Sequence, residues 1–216
     1  MENLSKENIE KNCPHCSRES FAFKYPLEET QNFFIICDAH PLVEGHILVV
    51  PKDHYSCIGE YPDEVFGEFK QVYKMVSAFI KENYDFVCSF EHGKIGQTVF
   101  HSHVHLLPCN CGVDEIIPEG AEKLIKIKVF EDLIKAFDKD GQYLFFSIKD
   151  DKWLVDCSIG APRFFRDRFA NALMVPERAN WKEMHSNKEM MKSAEIENNA
   201  LIQKWKKYSH KQLYEK

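Results

Sequence analysis

Three of the ten histidines stand at alternating positions, His101, His103 and His105, within the stretch GQTVFHSHVHLLP. A neutral imidazole titrates near pH 6.5, so it can attack phosphorus and leave again at neutral pH. Alternating histidines on a strand can also bind a metal ion. A third interpretation is a set of core histidines, although each would then need a polar partner. The spacing favours catalysis or metal binding.

The segment CPHC places two thiols, Cys13 and Cys16, two residues apart. At this spacing a tight turn lets both sulfurs reach one tetrahedral ion. The same pattern occurs in redox pairs, but those usually adjoin a βαβ unit, which this sequence does not show here. The other six cysteines include several that stand singly among apolar residues, where buried reduced thiols are expected.

Regular elements surround these groups. Residues 32–38 and 45–54 are rich in β-branched and aromatic residues and predict strands. Residues 63–84 carry apolar side chains at helical spacing and acidic residues in the first turn, which predicts a helix. FVCSFE predicts a short strand, and TVFHSHVHLLP a strand that Pro108 ends. Because side chains alternate along a strand, the three histidines are expected on one face.

The second half of the chain differs in character. EGAEKLIKIKVFEDLIKAFDKDG predicts a strand and then a helix, and QYLFFSIKDDKWLVDC predicts a hairpin. APRFFRDRFANALMV predicts a helix with three arginines, and a charged helical tail follows from Trp181. The expected class is α+β, with a first domain over residues 1–110 and a smaller α+β extension over residues 111–216.

The composition excludes several classes of protein. The 216 residues are 44% hydrophobic and 29% charged, as is ordinary for a globular protein. A net charge of −6 argues against nucleic acid as a partner. No apolar run is long enough for a membrane span, and the polar start MENLSKENIEKN lacks the apolar core of a secretory signal. A cytoplasmic protein with no membrane partner is expected.

HSHVHLL resembles the histidine-triad motif His-φ-His-φ-His-φ-φ, where φ is apolar. GQTVF and the upstream CDAHPLVEGHILVVPKDH fit the same family, and the resemblance covers roughly residues 13–108. Ser102 departs from the pattern by occupying a φ position. The resemblance implies an antiparallel sheet with flanking helices. It also implies a nucleotide hydrolase or transferase that breaks a bond at the α-phosphate.

The resemblance assigns catalytic roles to three histidines. It implies that His103 attacks the α-phosphorus and carries a transient nucleotidyl group, which water or another acceptor releases. His105 would bond phosphate or leaving-group oxygens, and His46 would organise the pocket. The alternative for His46 is a turn cap.

Three further residues are expected to bind the nucleotide substrate. The resemblance places Asp38 at the ribose hydroxyls, a task that suits a carboxylate. Gln97 and Thr98 would contact phosphate oxygens or the leaving side. The alternatives are a turn carboxylate for Asp38, a surface side chain for Gln97 and an ordinary strand residue for Thr98.

Related zinc-bearing proteins combine a cysteine pair with two histidines. Here the matching ligands are Cys13, Cys16, His54 of PKDH and His101. Four protein ligands would close the coordination sphere, so the zinc would be structural. His15, inside the CPHC segment, is expected to face solvent.

Several alternatives stay open in the sequence. A nucleotide-binding regulatory module with little catalysis is the rival function, and a homodimer is allowed because short members of the family commonly form one. His92 is either a further phosphate contact or an exposed loop residue. Arg163, Arg166 and Arg168 either close over substrate phosphates or form a solvated helix face.

Overall fold

The chain folds around one eight-stranded antiparallel sheet. A computed structural model describes residues 13–214, with side chains up to residue 211, so the polar N-terminal stretch discussed above lies outside it. The strand order is β1-β2-β3-β5-β4-β7-β8-β6. The strands are β1 (Pro26–Glu29), β2 (Phe33–Cys37), β3 (Ile47–Pro51), β4 (Cys88–Gly93), β5 (Val104–Leu107), β6 (Leu124–Ile127), β7 (Tyr143–Ile148) and β8 (Asp151–Val155).

Helices cover both faces of this sheet. They are α1 (Asp63–Tyr84), α2 (Val113–Ile116), α3 (Glu131–Asp140), α4 (Phe164–Ala172), α5 (Trp181–Ser186) and α6 (Lys188–Tyr214). The prediction for residues 63–84 is confirmed, since the apolar residues at helical spacing form the buried face of α1. The predicted strand–helix pair, hairpin and arginine-bearing helix are confirmed as β6–α3, β7–β8 and α4.

Strand alternation separates the two larger apolar cores. Val104 and Leu106 of β5 point toward α1, where they pack with Phe69 and its neighbours. On the opposite face, Phe90 of β4 packs with Phe169 of α4. The face opposite α1 also carries His105 of β5, so α4 covers the part of the sheet that bears the catalytic candidates.

The second half of the chain extends the sheet of the first half. β7 pairs with β4 along its whole length, from Cys88 opposite Ile148 to Gly93 opposite Tyr143. The α+β class and the antiparallel sheet with flanking helices are therefore confirmed. The domain boundary at residue 110 stays a prediction, because one sheet runs across it. Within the described range, none of the helices combines the length and apolar composition needed to span a bilayer.

The strand predicted around the histidine row is shorter than expected. β5 begins at Val104, so His101 and His103 precede it. The Ser102 amide donates to the Tyr55 carbonyl at 2.6 Å, a bond outside the strand ladder. The prediction that strand alternation orients all three histidines was therefore wrong. Hydrogen bonds outside the strand ladder hold the first two, from the His101 ring to the Pro51 carbonyl and from the His103 ring to the His101 carbonyl.

Candidate active site and metal centre

The structure divides the histidine row between two sites. His103 and His105 border a cavity of about 270 Å³, and their ring centroids are 5.0 Å apart. His101 is fully buried, and its Nδ1 atom lies 3.4 Å from Cys13 Sγ and 3.3 Å from Cys16 Sγ. Two imidazoles therefore face the cavity, and the third faces the cysteine pair.

The hydrogen bond of His103 fixes its tautomer. Its Nδ1 atom lies 2.6 Å from the His101 carbonyl oxygen. A carbonyl only accepts, so Nδ1 carries the proton and Nε2 keeps a lone pair. Burial lowers the pKa of His103, which favours this neutral form. An imidazole with a free Nε2 is the form that a nucleophile requires.

A chain of hydrogen bonds also fixes the tautomers of His46 and His105. The Leu42 amide donates to His46 Nδ1 at 3.1 Å, so His46 carries its proton on Nε2. His46 Nε2 lies 2.9 Å from His105 Nδ1 and donates to it. The proton of neutral His105 is then on Nε2. His105 is stacked on Phe90 at 4.2 Å, so it is held as an oriented donor.

The burial of His46 predicts a pH dependence of stability. Burial lowers its pKa to about 4, although the nearby Asp38 carboxylate opposes this shift. The unfolded chain protonates His46 near pH 6.5. Its contribution to the free energy of unfolding is therefore complete above about pH 6.5 and is lost as the pH falls toward 4. The full contribution is about 3 kcal/mol.

Urea unfolding of the wild type and of His46→Gln at several pH values measures this contribution. The stability advantage of the wild type is expected to shrink by about 3 kcal/mol between about pH 7 and pH 4. Both proteins keep the same metal ligands, so metal loss in acid affects both equally. A pH-independent difference between them would contradict the prediction.

Asp38 lies in a buried ion pair beside these histidines. One oxygen of its carboxylate accepts from Arg166 Nη1 at 2.7 Å, and the other accepts from the His40 amide at 2.8 Å. Burial raises the pKa of Asp38, but Arg166 and His46 outweigh it and lower the pKa to about 2. The ribose contact of Asp38 stays a prediction, and the ribose would have to share the carboxylate with Arg166.

The arginines of α4 have different surroundings. Arg166 is buried and also donates to the His40 carbonyl at 2.8 Å. The alternative that it lies on a solvated helix face was therefore wrong for this residue. Arg166 lies 128 residues from Asp38 along the chain, so the sequence did not indicate that the two would pair. Arg168 pairs with Glu119 on the outside, whereas Arg163 lines the cavity.

Breaking the buried pair is expected to be costly. Arg166→Met removes one partner and leaves the Asp38 carboxylate buried without its cation, which should lower the free energy of unfolding by about 3–5 kcal/mol. Urea denaturation measures the change. Asp38→Asn combined with Arg166→Met should recover part of the loss, because no charge is left unpaired. Arg18→Gln, which breaks an exposed pair with Glu29, is the control and should cost less than about 1 kcal/mol.

The other two predicted substrate residues have different environments. Thr98 lines the cavity, and its hydroxyl accepts from Trp181 Nε1 at 3.2 Å. Gln97 donates from Nε2 to the Ser56 carbonyl at 2.6 Å, and its Oε1 is buried without a partner among the described residues. The structure thus brings Thr98 to the cavity wall, whereas Gln97 is not among the residues that line the cavity. Their substrate roles stay predictions.

The four predicted metal ligands converge. The ligand atoms of Cys13, Cys16, His54 and His101 all lie within 4.8 Å of one another. His101 Nε2 donates to the Pro51 carbonyl at 2.9 Å, so its Nδ1 lone pair faces the thiols. Cys16 Sγ and His54 Nδ1 are 3.1 Å apart. Zinc bonds of about 2.0–2.3 Å in a tetrahedron separate ligands by roughly 3.5 Å, so this donor set fits the ion.

His15 is buried, so the prediction that it faces solvent was wrong. Its ring packs edge-on between His101 and His103 at centroid distances of 5.6 and 5.0 Å. The turn through Cys13 and Cys16 folds over the histidine row and carries His15 inward. Its Nδ1 has no partner among the described residues.

Ser102, the departure from the triad motif, belongs to a buried polar network. Its hydroxyl lies 2.7 Å from both the Tyr61 hydroxyl and Glu91 Oε1. Glu91 also accepts from the Tyr143 hydroxyl and from the Ile58 amide. Burial raises the pKa of Glu91 to about 7. The network explains a serine here, since an apolar side chain would leave Glu91 without one of its donors.

The extension forms one wall of the cavity. Arg163, just before α4, contributes to this wall together with Arg166 of α4 and with Trp181 and His185 of α5. His185 Nδ1 lies 3.0 Å from Nε2 of His40, which belongs to the first half of the chain. The sequence offered Arg163 and Arg166 near the substrate only as one of two alternatives, and it gave no signal for Trp181 or His185, because contacts between distant helices and loops leave no local pattern.

A protein family and several known proteins match the first half of the chain. Residues 26–110 match the HIT domain family. An uncharacterized HIT-like protein of Methanocaldococcus jannaschii is 33% identical over 102 residues, which are 46% of this chain and 79% of that protein. An adenosine 5′-monophosphoramidase of Saccharomyces cerevisiae is 33% identical over 86 residues, or 39% of this chain and 53% of the yeast protein. The match thus spans about half the length of the yeast enzyme.

Among solved structures, a hypothetical histidine triad nucleotide-binding protein of Sulfolobus tokodaii is 32% identical, with a TM-score of 0.40. That likeness covers 46% of this chain and 70% of the archaeal one. The sheet and its histidine row define a histidine-triad protein. The identity to the Methanocaldococcus protein over most of its length shows that this chain belongs to the HIT family.

Proposed function

We propose that the chain is a nucleotide hydrolase or nucleotidyl transferase that cleaves at the α-phosphate. The observation that carries this proposal is the geometry of His103, whose Nδ1–H is tied to the His101 carbonyl while Nε2 keeps a lone pair beside the cavity. A simple binding site has no need of such a poised nucleophile. The yeast relative is a phosphoramidase by name, which supports the same chemistry.

The residues suit a two-step displacement. His103 Nε2 forms a bond to the α-phosphorus as the bond to the leaving group breaks, and the leaving group departs with the bonding electrons and takes up a proton from solvent. The His101 carbonyl stabilises the cationic ring of the nucleotidyl-histidine through Nδ1–H. Water then attacks phosphorus, and its proton is lost to solvent as neutral His103 and a nucleoside monophosphate are released.

Charge on the phosphoryl oxygens needs a donor that is already in place. His105 Nε2–H can fill this role, because His46 accepts from Leu42 and donates to His105. The Asp38–Arg166 pair lies close behind, with Asp38 Oδ2 3.6 Å from His46 Nε2 and 3.8 Å from His105 Nδ1. We infer that this ion pair keeps the imidazole rings of His46 and His105 in position.

We also propose that Cys13, Cys16, His54 and His101 hold a structural zinc ion. Zinc with four protein ligands has no open position for substrate and would stabilise the fold. The centre would anchor His101, whose carbonyl positions His103. A cytoplasmic location and a homodimer stay predictions.

Incubation with adenosine 5′-phosphoramidate, followed by chromatographic detection of AMP, tests the proposed activity. Release of AMP in proportion to enzyme concentration is expected. Calorimetric binding of AMP without turnover would favour the regulatory module instead. If the protein neither releases AMP from the substrate nor binds AMP, both the enzyme and the regulatory module are ruled out.

A further inference from the structure

His92 is a buried histidine of the cavity that the two-step mechanism does not use. It lies on β4, is 5% exposed and lines the same cavity as His103 and His105. The expectation of an exposed loop residue was therefore wrong. β4 continues through Gly93, so the glycine-bearing loop begins later than the sequence indicated.

The C-terminal extension fixes the tautomer of His92. The Phe165 amide donates to His92 Nε2 at 3.2 Å. A ring nitrogen that accepts an N–H bond is unprotonated, so the proton of the neutral ring is on Nδ1. Phe165 lies in the first turn of α4, where amides have no partner inside the helix. His92 supplies that partner.

Among the described residues, the remaining donor of His92, Nδ1–H, has no acceptor. This nitrogen is not completely enclosed by protein, so a ligand can reach it. Burial lowers the pKa of His92 to about 3, so the ring stays neutral and has one donor. Ring contacts with Phe90 at 5.8 Å and Phe165 at 5.3 Å hold its plane.

We propose that His92 Nδ1–H donates to a phosphoryl oxygen of the bound nucleotide, and that the Phe165 amide fixes this nitrogen as the donor. The inference rests on the proposed function, because it takes the ligand to be a nucleotide phosphate. It gives the extension a positioning role at the site. His92 becomes a second fixed donor beside His105.

Two substitutions of His92 test the roles of its two ring nitrogens separately. The side-chain amide of Asn can place an N–H near the position of Nδ1, whereas the longer Gln places an acceptor near Nε2. A hydrogen bond to a charged group contributes about 1.5–3 kcal/mol, which corresponds to roughly 10–150-fold. His92→Asn should lower kcat/KM for adenosine 5′-phosphoramidate less than about 3-fold, and His92→Gln about 10–100-fold.

Thermal unfolding of the same variants should change in the opposite order. His92→Gln keeps an acceptor for the Phe165 amide and should stay near the wild-type midpoint. His92→Asn loses it and should unfold several degrees lower. This reversal distinguishes a substrate contact from a purely structural cap, for which Gln would preserve both activity and stability. Equal activity loss in the two variants would also overturn the proposal.

Histidine ¹⁵N NMR on the zinc-bearing wild type gives a readout independent of turnover. The Nδ1–H tautomer of His92 is expected, with a shift of this resonance on titration with AMP. An Nε2–H tautomer, or AMP binding without the shift, would overturn the contact. If AMP binds and shifts the resonance but no substrate turns over, the proposed activity fails and the contact stands. Without AMP binding both fail.

Discussion

His103→Ala is expected to lower kcat/KM for adenosine 5′-phosphoramidate by about 10⁴-fold or more. The reason is that Nε2 of His103 is the atom that would bond to phosphorus, and alanine has no group to replace it. His105 and His46 are held by each other and by the Leu42 amide, so the pocket should otherwise persist. The variant should therefore still bind AMP and keep its metal.

The matched control is His210→Ala, which removes an exposed imidazole of α6 outside the cavity. This control should keep full activity. Steady-state AMP release measures both variants, and calorimetry measures AMP affinity. Turnover in His103→Ala above about a tenth of the wild-type rate would remove His103 as the nucleophile, because a lost nucleophile costs far more.

Loss of the metal centre is the second large effect. Wild-type protein purified without chelator should hold about one equivalent of zinc, and Cys13→Ser should lose most of it. A structural zinc site contributes directly to folding, so the unfolding midpoint of the variant should fall by more than about 10 °C. Activity should fall as well, because His101 is both a ligand of the centre and the residue whose carbonyl holds the His103 ring.

Elemental analysis and differential scanning calorimetry measure these changes. Cys157→Ser is the matched control, since this thiol lies outside the converging ligands and should keep zinc and stability. Less than about half an equivalent of zinc in the wild type, or unchanged zinc in Cys13→Ser, would contradict the centre.

The sequence carried the features that depend on local order. The apolar spacing in residues 63–84 predicted α1 with its observed bounds, because one buried stripe on a helix imposes that period. The grouping of Cys13, Cys16, His54 and His101 followed from the family resemblance, and the structure brings all four together. The hairpin β7–β8 followed from two apolar runs around a polar turn.

Features that depend on contacts between distant residues could not be predicted from the sequence. The Asp38–Arg166 pair joins residues far apart along the chain, and nothing near either residue indicates the other. His15 became buried because the cysteine turn folds over the histidine row. β5 starts late because the Ser102 amide bonds to Tyr55 outside the sheet. Alternating side chains alone did not reveal that competing bond.

Mass spectrometry of the wild type, quenched in alkali within the first turnovers of adenosine 5′-phosphoramidate, tests the proposed covalent step at His103. Phosphohistidine-type bonds survive alkali, so a covalent intermediate should be trapped. A mass increase of one adenylyl group is expected, which fragmentation should map to the peptide with His103 and which His103→Ala should lack. Turnover with no adduct under these conditions, or an adduct on another residue, would contradict it.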